Sequence, residues 1–255
     1  MKLVLTVLCI LGGVIGALLA LILLTALFLW IASLFISKKK EYTTDSPFYR
    51  GIIMFATSVC MVVCRIKLTG EGLDRLPSGT RYLVVANHRS RFDPIVTWHV
   101  LKPEKIAYIS KRSNFSIPVF GKFVWRLGFL AIDRKHPKKA AETVEKAVKH
   151  LRSGTFSVGV YPEGTRNKDP GAGLLPFHNA MFKIAQEADV PIVVVRTDGT
   201  EKIHVNYPRR STPVRVKVCG VIGPDEIRGV KTAEIGEKVR KMINDNAPSA
   251  LEIVP

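Results

Sequence analysis

The sequence predicts an α/β fold, a mixed sheet with flanking helices, preceded by N-terminal membrane helices. Three observations carry this expectation. From Arg65 onward, short apolar runs alternate with amphipathic stretches, the pattern of strands alternating with helices. Residues 3–36 contain no charged side chain. Two polar motifs, at 87–94 and 161–167, each follow an apolar run, and open α/β sheets build their sites at strand ends.

The uncharged stretch rises roughly 50 Å as a helix, more than the ~30 Å hydrocarbon core of a bilayer. It is also longer than the apolar core of a signal peptide. Lys38, Lys39 and Lys40 follow at once, and the positive-inside rule keeps them in the cytoplasm. Gly12, Gly13 and Gly16 leave a re-entrant hairpin as the alternative to one tilted span. A second apolar stretch, 51–64, is too short to span and reads as an interfacial helix. The expected organisation is therefore an anchor at 1–37, an interfacial helix at 46–64 and a cytoplasmic domain at 65–255, on the inner face of the cell membrane.

Within that domain, strands are expected at 65–69, 82–86, 106–109, 129–132, 156–161, 192–196 and 214–220. Helices are expected at 94–101, 118–127, 138–151, 179–188 and 232–243. In the third of these, Ala141, Val144, Ala147, Val148 and Leu151 share one face.

The chain has 255 residues, with 38 Lys and Arg against 21 Asp and Glu, a formal net charge of +17. Such a surface suits anionic lipid, phosphorylated substrates or nucleic acid. A nucleic-acid binder interleaves basic residues with exposed aromatics; here the aromatics sit inside apolar runs, so no nucleic-acid partner is expected. A membrane-anchored basic binding module without chemistry is the distant alternative, and the same observation weighs against it. Cys9, Cys60, Cys64 and Cys219 have neither zinc-site nor disulfide spacing, so reduced thiols are expected, with no metal and no cofactor.

The most informative segment is Asn87-His88-Arg89-Ser90-Arg91-Phe92-Asp93-Pro94. His88 falls at the end of a strand. Asp93-Pro94 reads as a helix start, with Asp93 as N-cap. A carboxylate one short turn from an imidazole can hold it in a single tautomer, as a general base requires. The plain alternative is a capped helix beside a satisfied turn histidine.

The second motif is Tyr161-Pro162-Glu163-Gly164-Thr165-Arg166. Gly164 permits close ligand approach, and Arg166 offers a planar fork that matches phosphate. Glu163 can accept from a substrate hydroxyl or hold Arg166. Alone, this motif reads better as an ordinary loop with an internal ion pair. Arg134 ends an expected strand and reads equally as a phosphate contact or as a surface pair with Asp133; Lys111 ends another and adds positive charge near the site. No nucleophile elbow, phosphate-binding loop or dinucleotide fingerprint occurs.

Taken together and in order, Asn-His-x4-Asp, a strand ending Asp133-Arg134, Tyr-Pro-Glu-Gly-Thr-Arg and Val190-Pro191-Ile192 resemble the glycerolipid acyltransferases of the lysophosphatidate-acylating type. The resemblance spans roughly 65–223. It implies His88 and Asp93 as the catalytic pair, and Glu163, Gly164, Thr165, Arg166, Arg134 and Lys111 at the acceptor site. It further implies lysophosphatidic acid as acceptor, acyl-CoA or acyl-carrier protein as donor, and an anionic phospholipid membrane as the setting. Two positions depart from the family pattern: a Lys-Gly pair is replaced around Phe177-His178, and Ser113 stands near a common Glu.

Overall fold

The computed structural model describes residues 1–134, 136–169 and 173–248. Helix α1 (Lys2–Leu34) carries almost no burial along its length, and a window of it reaches a mean hydropathy of 3.0. It is long and apolar enough to cross a membrane. Helix α2 (Pro47–Val63) follows, apolar but only 17 residues long.

All seven expected strands form: β1 (Ile66–Glu71), β2 (Leu83–Ala86), β3 (Ala107–Lys111), β4 (Leu130–Ile132), β5 (Val158–Val160), β6 (Ile192–Asp198) and β7 (Thr212–Ile222). They make one sheet in the order β1-β7-β6-β2-β5-β3-β4. Every neighbouring pair is parallel except β6 with β7, so the sheet is mixed. The central strands are buried on both faces, and for that reason they read as unbroken apolar runs. The period of two still sorts them: Leu83 and Val85 face one core, Val84 and Ala86 the other.

The five expected domain helices also form, with edges within two residues except the start of the fourth, which falls four residues later, as α3 (Asp93–Val100), α4 (Phe120–Arg126), α5 (Pro137–Arg152), α6 (Lys183–Ala188) and α8 (Thr232–Asp245). The 179–188 segment begins as a 3-10 turn, Asn179–Phe182, before α6. Helix α7 (Ile203–Asn206) is not predicted from sequence, since four residues are too few to show a period. Helices α5, α6 and α8 cover one face through Ala147, Ile184 and Val239. On the other, Val96 of α3, Phe123 of α4, Ile203 of α7 and Ile53 of α2 share a single cluster.

The segment after α1 is strapped to the domain. Lys38 Nζ bonds the Phe115 carbonyl, and Trp125 Nε1 donates to the Lys40 carbonyl at 3.0 Å. Arg126 donates to the Thr44 carbonyl at 2.9 Å and stacks over Tyr42. Two of the three lysines of the basic cluster are thus also engaged with protein: Lys38 with Phe115, and Lys40 with the Tyr42 ring.

Candidate active site

Asn87 sets the end of β2. Its side chain donates to the Thr197 carbonyl at 2.8 Å and accepts from the Thr197 amide at 2.8 Å, pairing a buried amide with the edge of β6. His88 comes next, at the carboxyl end of the sheet. Its Nδ1 lies 2.8 Å from Asp93 Oδ2.

Asp93 is fully buried. The same Oδ2 accepts from the main-chain amides of Arg89 and Ser90, each at 2.7 Å. Oδ1 takes the Thr200 hydroxyl. The N-cap expectation is therefore corrected. Helix α3 begins at Asp93 itself, and the carboxylate turns back into the loop rather than onto the first amides of its helix. A buried charge needs a full set of donors, and this loop together with Thr200 supplies them. With Nδ1–H donating to the carboxylate, Nε2 keeps its lone pair, the form that accepts a proton.

The Tyr161 ring stacks on the imidazole at 4.4 Å between centroids and 28° between planes, with Tyr108 stacked behind it at 5.7 Å. Burial, aided by the nearby Tyr108 and Asp93, pushes the Tyr161 phenol well above its usual range, so it stays neutral beside His88.

The structure brings the 161–167 loop to His88 and corrects the expectation for Glu163. Its carboxylate is 3% exposed. Oε1 accepts from the His88 amide at 2.7 Å and Oε2 from the Leu175 amide at 2.9 Å. Glu163 holds the main chain of the histidine and makes no hydrogen bond or ion pair to Arg166 among the described residues. Burial raises its pKa, and the two amide donors act against that rise. On the other side, the Asn167 amide donates to the His88 carbonyl at 2.7 Å.

Gly164 sits at φ +66°, and a Cβ there would lie 2.6 Å from His178 Cδ2, so both backbone and space require glycine. Its carbonyl accepts from Arg134. Lys111 ends β3 opposite Ile132 of β4, so Lys111 and Arg134 leave neighbouring strands at this same edge. Thr165 is exposed. Arg166 is half-buried, and among the described residues its guanidinium has no hydrogen-bond or ion-pair partner. A free planar fork on the loop that holds the His88 main chain is suited to an anionic group.

Sequence reasoning missed Thr200. It lies outside every motif, and its one local signal is Gly199 at φ +89° just past β6. Thr200→Val should lower turnover roughly tenfold, since an unpaired buried carboxylate oxygen costs about 1–3 kcal/mol. Thr200→Ser should restore most of it; steady-state turnover of the two variants decides the matter.

Residues 67–197, just over half of the chain, match the acyltransferase family model. The chain belongs to the acyltransferase family. Relatives within it include the 1-acyl-sn-glycerol-3-phosphate acyltransferases of Escherichia coli, 36% identical over 125 residues, and Salmonella typhimurium, 35% identical over 125 residues. Each alignment covers 49% of this chain and 50% of the relative, so the chain spans about half the length of these curated relatives. The bovine 1-acyl-sn-glycerol-3-phosphate acyltransferase alpha is 28% identical over 225 residues, 79% of this chain and 77% of that one. The crystal structure of the 1-acyl-sn-glycerophosphate acyltransferase of Thermotoga maritima superposes with a TM-score of 0.64 at 20% identity, over 89% of this chain and 90% of the other. At that identity the likeness is one of fold. The matched acyltransferase region ends at Thr197 and so stops short of Thr200.

Proposed function

We propose that the protein transfers a fatty acyl group from acyl-CoA or acyl-carrier protein to the sn-2 hydroxyl of 1-acyl-sn-glycerol 3-phosphate, making phosphatidic acid in phospholipid biosynthesis. The observation that carries this reading is His88 Nδ1 held on a fully buried Asp93, with Arg166, unpartnered among the described residues, on the adjoining loop. The reaction named for the relatives supports the same choice.

In this mechanism His88 Nε2 takes the proton of the acceptor hydroxyl as its oxygen attacks the thioester carbonyl. The new C–O bond forms, the C–S bond breaks, and the imidazolium returns the proton to the departing thiolate. The acceptor alcohol is itself the nucleophile, so the enzyme forms no covalent intermediate. Asp93 stabilises the imidazolium as it forms. Arg166, with Arg134 and Lys111, holds the phosphate and so turns binding energy into positioning. Glu163 acts through the His88 main chain. A cavity of about 480 Å³ lies over β4, lined by Phe115, Trp125 and Leu130 and by both basic and acidic side chains, among them the Lys146–Glu41 ion pair. Its size and apolar wall suit an acyl chain.

Glycerol 3-phosphate and other lysolipids are the alternative acceptors. Purified protein, a labelled acyl donor and an acceptor panel, read by product mass, should give phosphatidic acid as the main product. In the same assay Arg166→Ala should raise the KM for the phosphorylated acceptor roughly ten- to a hundredfold, and that for the donor far less. Main product from an acceptor lacking phosphate would overturn the assignment.

The domain, 65–255, is placed on the cytoplasmic side of the cell membrane, with 1–37 as anchor and 46–64 as an interfacial helix. The lysines at 38–40 support this orientation, and acyl thioesters are made on that side. A reporter fused after Pro255 should read as cytoplasmic in intact cells; an external signal contradicts both the charge argument and the donor.

A further inference from the structure

Outside residues 1–64, five large apolar side chains stand exposed among the described residues: Leu73, Ile117, Phe120, Val205 and Tyr207. Four of the five fall in two short segments. Residues 117–120 lead from β3 into α4, and 205–207 close α7 beyond β6. Strands β3 and β6 both run parallel to β2 in the sheet. Both segments therefore leave the sheet at the edge that carries His88, one on each side of it in strand order.

The same two segments lie on the face covered by α2. Phe123 of α4, Ile203 of α7 and Ile53 of α2 enter one apolar cluster. Helix α2 turns Phe55, Val59 and Val62 outward, at 71%, 44% and 77% exposure. Beyond its end, Arg65 donates to the Pro208 and Arg209 carbonyls at 3.3 and 3.4 Å. The exposed strip of α2 thus runs on beside Tyr207. Charge follows the same outline. Residues 111–122 carry Lys111, Arg112 and Lys122, and residues 202–210 carry Lys202, Arg209 and Arg210, with no Asp or Glu in either.

We propose that this edge is a membrane-docking surface, with 117–120 and 205–210 resting on an anionic bilayer on either side of His88. Apolar tips flanked by basic residues match a headgroup layer, where the tips bury and the cations meet anionic lipid. Water alone gives no reason to gather four of five exposed apolar side chains at one edge. The inference rests on the membrane-associated reading above and extends it from α1 and α2 to the catalytic domain itself. A lipid acceptor can then present its headgroup to His88 without leaving the bilayer.

The test uses the full chain in vesicles of phosphatidylethanolamine and phosphatidylglycerol. A photoreactive p-benzoylphenylalanine replaces Phe55, Ser78, Phe120 or Val205 in separate variants, each checked for unchanged circular dichroism. All four side chains are exposed, and Ser78 precedes β2 at the opposite edge. Irradiation followed by mass spectrometry should find lipid adducts at 55, 120 and 205 and none at 78. Replacing phosphatidylglycerol with phosphatidylcholine should cut the yield at 120 and 205 severalfold. Adducts at 55 without adducts at 120 and 205 would overturn the docking surface and leave the membrane reading of α2 standing. Absence of adducts at 55 would remove that reading instead. Equal yields at 78 and 205 would also overturn the proposal.

Discussion

His88→Ala should reduce turnover by about 10²–10⁴-fold, the range a positioned general base contributes to a single proton transfer. The loss should appear in kcat, with the KM of both substrates nearly unchanged, because in the proposed mechanism the imidazole acts on the hydroxyl proton and not on the phosphate. The fold should survive. Asp93 keeps the Arg89 and Ser90 amides and the Thr200 hydroxyl after the imidazole is gone, so its buried charge is not left bare. The check is kcat alongside the thermal midpoint. Near-normal kcat in a folded variant removes His88 from the chemical step.

Asp93→Asn should lose about 10²-fold in kcat, and the geometry says why the loss is not larger. In a serine-protease triad the same change costs roughly 10⁴-fold, because the amide presents its NH₂ to the histidine and selects the wrong tautomer. Here two main-chain amides point at the oxygen that also meets His88. An asparagine must place its carbonyl oxygen there and its NH₂ towards Thr200, whose hydroxyl can rotate to accept. The tautomer is kept and only the charge is lost, so the imidazolium forms without a counterion. A charge-assisted hydrogen bond is worth about 1.5–3 kcal/mol, consistent with that smaller factor. Asp93→Ala should do more damage, since it strands both amides and the Thr200 hydroxyl in a buried loop. Stopped assays with Asp93→Asn, Asp93→Ala and Thr200→Val, compared with their melting curves, separate lost charge from lost structure. If Asp93→Asn matched Asp93→Ala, the main-chain amides would not be steering the amide side chain.

The element pattern was legible because it obeys local rules. An uncharged run of more than thirty residues, seven short apolar strands and five amphipathic stretches each declare themselves within a window of a dozen residues. The candidate histidine and its carboxylate were legible for the same reason, being five residues apart. What the sequence determined by itself about this protein is thus the strands, the helices other than α7, the long apolar stretch and the identity of the His88–Asp93 pair.

Tertiary structure decided the roles that depend on distant chain. Glu163 meets His88 across 75 residues, and Thr200 meets Asp93 across 107. No local period announces either contact, because hydrogen bonds between separate strand ends depend on strand order and register. The sheet order places β5 and β6 on opposite sides of β2, and that arrangement carries the loop of Glu163 to His88 and the turn of Thr200 to its partner Asp93. The turn of Asp93 away from its own helix is only partly of this kind: His88 and the Arg89 and Ser90 amides lie within five residues of it, and Thr200 alone is distant. A helix start is a local property, but a buried carboxylate goes where the assembled loop offers it the most donors.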